Sequence, residues 1–192
     1  AASSIFGTKT IIIDTTAPTG AITYSAASPY KQNATATITA TFTEALTTTP
    51  KIAISGVSSV TATNMSGSGT TWTYTYTAPA GDGTETIVFS VGTDAAGNTV
   101  TATPTSGATF TVDNTSPSMI ITAADVSTGS TTNDSTLALT FITNEATSNF
   151  VVGDISVTNG TLSSFDSSDN ETYIATFTPN GDGATTIDVA AG

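Results

Sequence analysis

The sequence predicts an all-β protein built as two tandem antiparallel β-sandwiches, the second lacking its last strand or strands within this chain. Three observations carry that expectation. Apolar residues alternate with threonine and serine over run after run, the period of a half-buried strand. No segment shows sustained 3.6-residue periodicity with helix caps. The chain also repeats itself: Gly81-Asp82-Gly83 returns as Gly181-Asp182-Gly183, and Asp14-Thr15-Thr16-Ala17-Pro18 returns as Asp113-Asn114-Thr115-Ser116-Pro117. A period of about a hundred residues is one small all-β domain per repeat.

The strands follow in order. Residues 34–43 place Ala36, Ile38, Ala40 and Phe42 on one face and threonines on the other. The same alternation fits Ile52/Ile54, Trp72/Tyr74/Tyr76, Ile87/Phe89/Val91 and Phe110/Val112 in the first repeat. In the second it fits Leu137/Leu139/Phe141, Ile155/Val157, Tyr173/Ala175/Phe177 and Ile187/Val189. Clusters of Gly, Asn, Asp, Ser and Pro separate the runs, as turn chemistry requires. Gly81-Asp82-Gly83 and its copy read as strand-to-strand corners, with two glycines free to take positive φ and an Asp able to close its own turn.

The frame of the repeat is offset from the chain. Thr10-Ile11-Ile12-Ile13 before Asp14 holds the place of Thr109-Phe110-Thr111-Val112 before Asp113. Residues 1–13 therefore read as an orphan closing strand, of a preceding repeat or a neighbouring molecule. Residues 14–113 form the first domain and 114–192 an incomplete second one. Pro18 and Pro117 stiffen the linkers, since proline fixes φ and withholds a ladder donor.

Composition restricts the partners. Among 192 residues there are no cysteines, no histidines, and only three basic residues against fifteen acids, a formal charge of −12. Such a chain has no basic footprint for nucleic acid and is repelled by anionic lipid. No apolar run approaches the roughly 20 residues that span a bilayer, so membrane insertion is not expected. Without histidine or cysteine the usual bases, nucleophiles and soft-metal ligands are missing, so no enzyme is expected.

The run Asp14-Thr15-Thr16-Ala17-Pro18, then Gly81-Asp82-Gly83, then Thr93-Asp94-Ala95-Ala96-Gly97-Asn98 resembles bacterial immunoglobulin-like (BIg-type) tandem repeats of large cell-surface adhesins and biofilm proteins. Residues 153–165 of the second repeat are similar to a sister class of that family. The resemblance implies immunoglobulin-like winding, an extracellular location and a structural role. It also implies calcium at the linkers, since adhesins of this type use it to rigidify the array.

Immunoglobulin-like winding brings the loops after the second and sixth strands to the end where the chain enters. Glu44, Asp94 and the linker residue Asp14 then converge, the oxygen-only ligand set that suits Ca2+. Asp113 and Glu145 begin an equivalent site at the next junction. The alternative is that Asp14, Asp94 and Asp113 are turn residues bonded to their own backbone.

Three functions are open at this level. The first is a spacer or stalk module whose partners are neighbouring repeats. The second is a filament subunit: residues 4–13 of one copy complete the second domain of the next, with Ile5, Ile11, Ile12 and Ile13 as donor and Ile187 and Val189 as acceptor. The third is a carbohydrate-binding accessory module, for which Trp72, Tyr74 and Tyr76 are better explained as core and Tyr24 and Tyr30, beside Pro29, are the expected exposed aromatics. Asn33, Asn64, Asn133, Asn159 and Asn170 head glycosylation sequons, which matter only where asparagine is glycosylated.

Overall fold

The computed structural model describes residue 7 and residues 9–190. It is all-β: thirteen strands and, among the described residues, one short 3-10 turn at Val152–Asp154. The chain divides into two compact units, Ala1–Thr115 and Ser116–Gly192. Both are immunoglobulin-like sandwiches of antiparallel strands.

In the first unit β1 (Gly20–Tyr24), β2 (Thr35–Leu46) and β5 (Ser66–Thr77) form one sheet, ordered β1-β2-β5. β4 (Ser59–Asn64), β3 (Pro50–Ser55), β6 (Gly83–Val91) and β7 (Thr109–Val112) form the other, ordered β4-β3-β6-β7. Ala36, Ile38, Ala40 and Phe42 of β2 point inward and are buried, facing Ile52, Ile54, Ile87 and Phe89 of the second sheet. Trp72 and Tyr76 are buried and Tyr74 packs against the same core, so no flat aromatic platform is left on β5.

The closing strand β7 pairs with β6 from Gly83↔Val112 to Thr86↔Thr109. Its Phe110 sits among three tyrosines, 4.9 Å from Tyr76, 5.4 Å from Tyr24 and 5.5 Å from Tyr30 between ring centroids. The expectation that Tyr24 and Tyr30 are exposed is corrected here. Tyr30 is only 4% exposed and Tyr24 packs on the core. The chain after the Ser28-Pro29 bond folds back along β7: the Tyr30 N–H donates to Thr111 O, and the Asp113 N–H donates to Tyr30 O. Tyr30 thus covers the outer edge of β7, and its hydroxyl donates to Ala26 O at 2.6 Å. The Tyr24 phenol, desolvated and beside Tyr30, is pushed up to about 12.

Two further departures have local causes. Val91, expected inward with Ile87 and Phe89, is 51% exposed. Its φ of 60° and that of Gly92, 66°, rotate the end of β6 out of the pleat. Glu85 lies on the inward face of β6 and is wholly buried. Its Oε1 accepts the Ser58 N–H at 2.7 Å and the Tyr76 hydroxyl at 2.9 Å. Burial and that bond push the Tyr76 phenol well above its usual range. Gly56, at φ +146°, leaves room for this group, since a Cβ there would meet Thr84 O at 2.2 Å.

The second unit is thinner. β8 (Met119–Ala123), β9 (Leu137–Thr143), β12 (Thr172–Pro179) and β11 (Gly160–Ser167) make one sheet, ordered β11-β12-β9-β8. The facing sheet holds only β10 (Ile155–Val157) and β13 (Ile187–Val189) among the described residues. The fourth strand has changed sides: β4 pairs with β3, whereas β11 pairs with β12. Leu137, Leu139, Phe141, Ile155, Tyr173, Ala175 and Phe177 are buried, while Phe150, Phe165, Ile187 and Val189 are only half covered.

Trp72 is the chain's one tryptophan and lies in the first core, so its fluorescence reports that unit alone. Phe110→Ala is expected to cost about 3–5 kcal/mol by the loss of transfer energy and the cavity left behind. Urea unfolding followed at Trp72 checks this, and a loss under about 1 kcal/mol would remove Phe110 from its central place.

Candidate metal centre

The acids expected from the sequence meet. One carboxylate oxygen from each of Asp14, Glu44 and Asp94 lies within 4.8 Å of the other two. Asp14 comes from the incoming linker, Glu44 from the last third of β2, and Asp94 from the turn after β6. Immunoglobulin-like winding puts those three segments at one end of the sandwich.

Asp94 is the fixed member. It is 4% exposed, and its Oδ1 accepts the N–H groups of Ala96, Gly97 and Asn98 at 2.8, 2.7 and 2.9 Å. Its Oδ2 accepts from Asn98 Nδ2 at 2.9 Å, and the same amide donates to the Asp14 backbone oxygen at 3.2 Å. Asn98 therefore ties the incoming linker to the turn. Burial works against the ionised form of Asp94, but these donors outweigh it and hold the carboxyl below its ordinary value. Asp14 Oδ1 likewise accepts the Thr16 N–H at 3.0 Å. The turn role proposed for both aspartates is realised, through one oxygen of Asp14 and both oxygens of Asp94.

Glu44 carries the tension of the cluster. Burial first, then the charges of Asp14 and Asp94 and a carboxyl–carboxyl hydrogen bond to Asp14, push its carboxyl above the usual value. Among the described residues no lysine forms an ion pair with these acids. An all-oxygen set of three carboxylates fits a hard divalent cation such as Ca2+ or Mg2+ and not a soft one.

The remaining candidates fall as follows. Asp113 Oδ1 accepts the Thr115 N–H at 3.0 Å, the same turn as at Asp14. Glu145, in the second unit, has its Oε1 buried without a partner among the described residues. Ile5 lies outside the described residues, while Ile11, Ile12 and Ile13 are 71%, 90% and 84% exposed. Ile187 and Val189 are half-buried in β13. Of the sequon asparagines, Asn33, Asn159 and Asn170 hold left-handed turn positions, at φ 66°, 49° and 61°. Asn33, Asn64, Asn133 and Asn170 are exposed, and Asn159 is half-buried.

One functional group escaped the sequence. Asp82, in the Gly81–Gly83 corner, accepts the Asn114 N–H on Oδ1 and the Thr115 hydroxyl on Oδ2, the latter at 2.7 Å. Asn114 also donates from Nδ2 to Gly81 O and accepts the Gln32 N–H on Oδ1. The corner thereby grips the outgoing chain, and these donors hold the Asp82 carboxyl below its usual value. The repeat of an Asp-x-Thr segment, at residues 14–16 and 113–115, beside a recurring Gly-Asp-Gly was the available signal.

Residues 113–192 match the family model for a bacterial Ig-like domain. No curated protein and no solved structure matches the chain.

The Glu44 and Asp94 shifts act on stability in opposite senses. A carboxyl raised on folding binds its proton more readily in the folded state, so it favours folding at acid pH and opposes it as pH rises past about 4.3 through the folded value. A lowered one stabilises above about 3.9, and that gain is lost as pH falls through its folded value. In buffer stripped of divalent ions, Glu44→Gln is therefore expected to be more stable than the parent at pH 7. Its advantage should shrink as the pH approaches 4. Urea midpoints at Trp72 across this range decide it, and a variant less stable at pH 7 would contradict the repulsion.

Proposed function

We propose that this pair of sandwiches, the second of them a bacterial Ig-like domain over residues 113–192, is an extracellular structural module. It acts as a spacer in a longer, repeat-built, adhesin-like surface protein. A calcium ion at the Asp14–Glu44–Asp94 centre stiffens the first sandwich where the chain enters. The observation that supports this reading is the convergence of three carboxylates from the linker, β2 and the post-β6 turn to within 4.8 Å. The chain has a formal charge of −12 and three basic residues, and among the described residues no lysine is ion-paired with these acids.

Bound there, calcium would supply two positive charges and cross-link the incoming linker to both sheets. Asp94 is already positioned by its turn, Asn98 holds the linker backbone beside it, and Glu44 has its charge raised in energy until a cation arrives. Backbone carbonyls and water would complete the six to eight oxygens that Ca2+ takes. Extracellular modules bind calcium at about 10⁻⁴–10⁻³ M, in keeping with a site that keeps only part of its carboxylate capacity free. Glu145, with its unpartnered buried oxygen, is proposed as a ligand of the same kind in the second unit.

The test is thermal unfolding followed at Trp72, first in chelator and then with millimolar calcium. The midpoint is expected to rise by several degrees with calcium, less with magnesium, and not at all in Glu44→Gln or Asp94→Asn. A parent chain whose midpoint ignores calcium would overturn the metal reading.

A further inference from the structure

Two Asn-Gly pairs meet in the second unit, and the fold treats them differently. Asn159-Gly160 leads into β11, and Asn180-Gly181 opens the corner after β12. The pairs touch: the Asn180 N–H donates to Asn159 O at 3.0 Å, and Asn159 Nδ2 donates to Gly181 O at 3.0 Å. Asparagine before glycine is open to attack on its own amide, because glycine has no Cβ to shield its nitrogen and leaves the backbone free to turn. Asn159 is guarded on both sides. Its amide is committed to Gly181 O, and Gly160 is the first residue of β11, paired with Pro179, where a Cβ would collide with the Phe177 ring. Asn180 is open on both. It is exposed, and neither its side chain nor the Gly181 N–H has a hydrogen-bond partner among the described residues. A Cβ on Gly181 would meet nothing within 4 Å.

We propose that Asn180 is a self-modifying site, which loses its amide to intramolecular attack by Gly181 while the fold preserves Asn159. The Gly181 backbone nitrogen gives its proton to hydroxide and bonds to Asn180 Cγ. The Cγ–Nδ2 bond breaks, and Nδ2 leaves as ammonia after taking a proton from water. The cyclic imide that results joins Cγ and the backbone carbonyl carbon of Asn180 through one nitrogen. Water then adds at either carbonyl. Opening of the Cγ–N bond leaves aspartate at 180, whereas opening of the backbone C–N bond leaves isoaspartate, with the chain running through Cβ and Cγ. Either product places a new carboxylate near Asp182, in a chain already at a formal −12. Isoaspartate also lengthens the backbone of the corner by one carbon.

The openness belongs to the corner itself. The first repeat has the same corner at Pro79-Ala80-Gly81-Asp82-Gly83, there gripped by Asn114 and Thr115. With that grip in place Ala80 is still exposed, and the Gly81 N–H still has no partner among the described residues. Ala80 has no amide to lose, so the reaction is confined to the corner of the second unit. The Asp-Gly pairs that follow are slower centres for the same ring closure, since an ionised carboxylate is a poor electrophile. Asp82 is further held in that form by the donors on both its oxygens. The reaction draws only on water and its own backbone, and it stands apart from the spacer and calcium readings.

The experiment incubates the 192-residue chain at physiological temperature and mildly alkaline pH, and follows both asparagines by peptide mapping and mass spectrometry. Asn180 is expected to convert to a mixture of aspartate and isoaspartate, at least severalfold faster than Asn159. In the urea-unfolded chain the two rates should become comparable, because the guard on Asn159 is then gone. Gly181→Ala supplies a second arm. Its Cβ meets no atom and its φ lies outside the left-handed region, so the corner accepts it. Conversion at Asn180 should slow at least severalfold in this variant, while Asn159 stays protected. Asn159 converting as fast as Asn180 in the folded chain overturns the proposal. So does an Asn180 that stays intact, or a Gly181→Ala chain that converts at the parent's rate.

Discussion

The ring of Phe110 is where the first sandwich is closed. It packs against Tyr24, Tyr30 and Tyr76, which come from β1, the segment after it, and β5, while its own backbone completes the β6 ladder. A sheet buries one face and must also pair or cover its edges, and β7 answers both needs at once. Tyr30 then covers the far side of β7 with two backbone hydrogen bonds, so the sandwich ends on a protected strand. The second unit lacks this element among its described residues, and its thin facing sheet and half-covered Phe150, Phe165, Ile187 and Val189 follow.

Charge is the other constraint, and geometry concentrates it. The acids fall mostly in turns, where an Asp oxygen can accept neighbouring N–H groups, and Asp14, Asp82, Asp94, Asp113 and Asp169 all do so. Such bonds satisfy a carboxylate locally without any cation. Glu44 is placed differently: it sits on a strand and not in a turn, and its neighbours are two other carboxylates. Glu85 is handled differently again, by a phenol and a backbone amide in the core.

Much of this was legible in the sequence. Strict alternation located the inward faces of β2, β3, β5, β9 and β12, because a period of two is directly a statement about sides. The convergence of Asp14, Glu44 and Asp94 was legible too, once the winding was assumed, since loop positions in a sandwich follow from strand order. What was missed depends on longer-range or subtler physics. Tyr30 looked like a loop aromatic because its burial comes from a fold-back onto β7, far along the chain. Val91 kept the alternation on paper, but two successive positive φ values end the pleat there. Glu85 falls in step with Ile87 and Phe89 on the inward face, but a carboxyl in that place contradicts the usual hydropathy signal and so gave no sign of burial. The change of sheet between β4 and β11 leaves no trace in either strand's pattern, since an edge strand suits both partners.

The grip of Asp82 on Asn114 and Thr115 has a mechanical meaning. Tension drawn on Thr115 passes through that carboxylate into the Gly81–Gly83 corner, and from there into β6, alongside the β6–β7 ladder. Antiparallel ladder bonds lie across the strand direction, so a pull along β7 shears them together and does not peel them one by one. Resistance to stretching is then set by the rate at which several bonds fail at once, and not by the equilibrium stability of the fold. A unit of modest core and no disulfide can in this way bear force out of proportion to its stability.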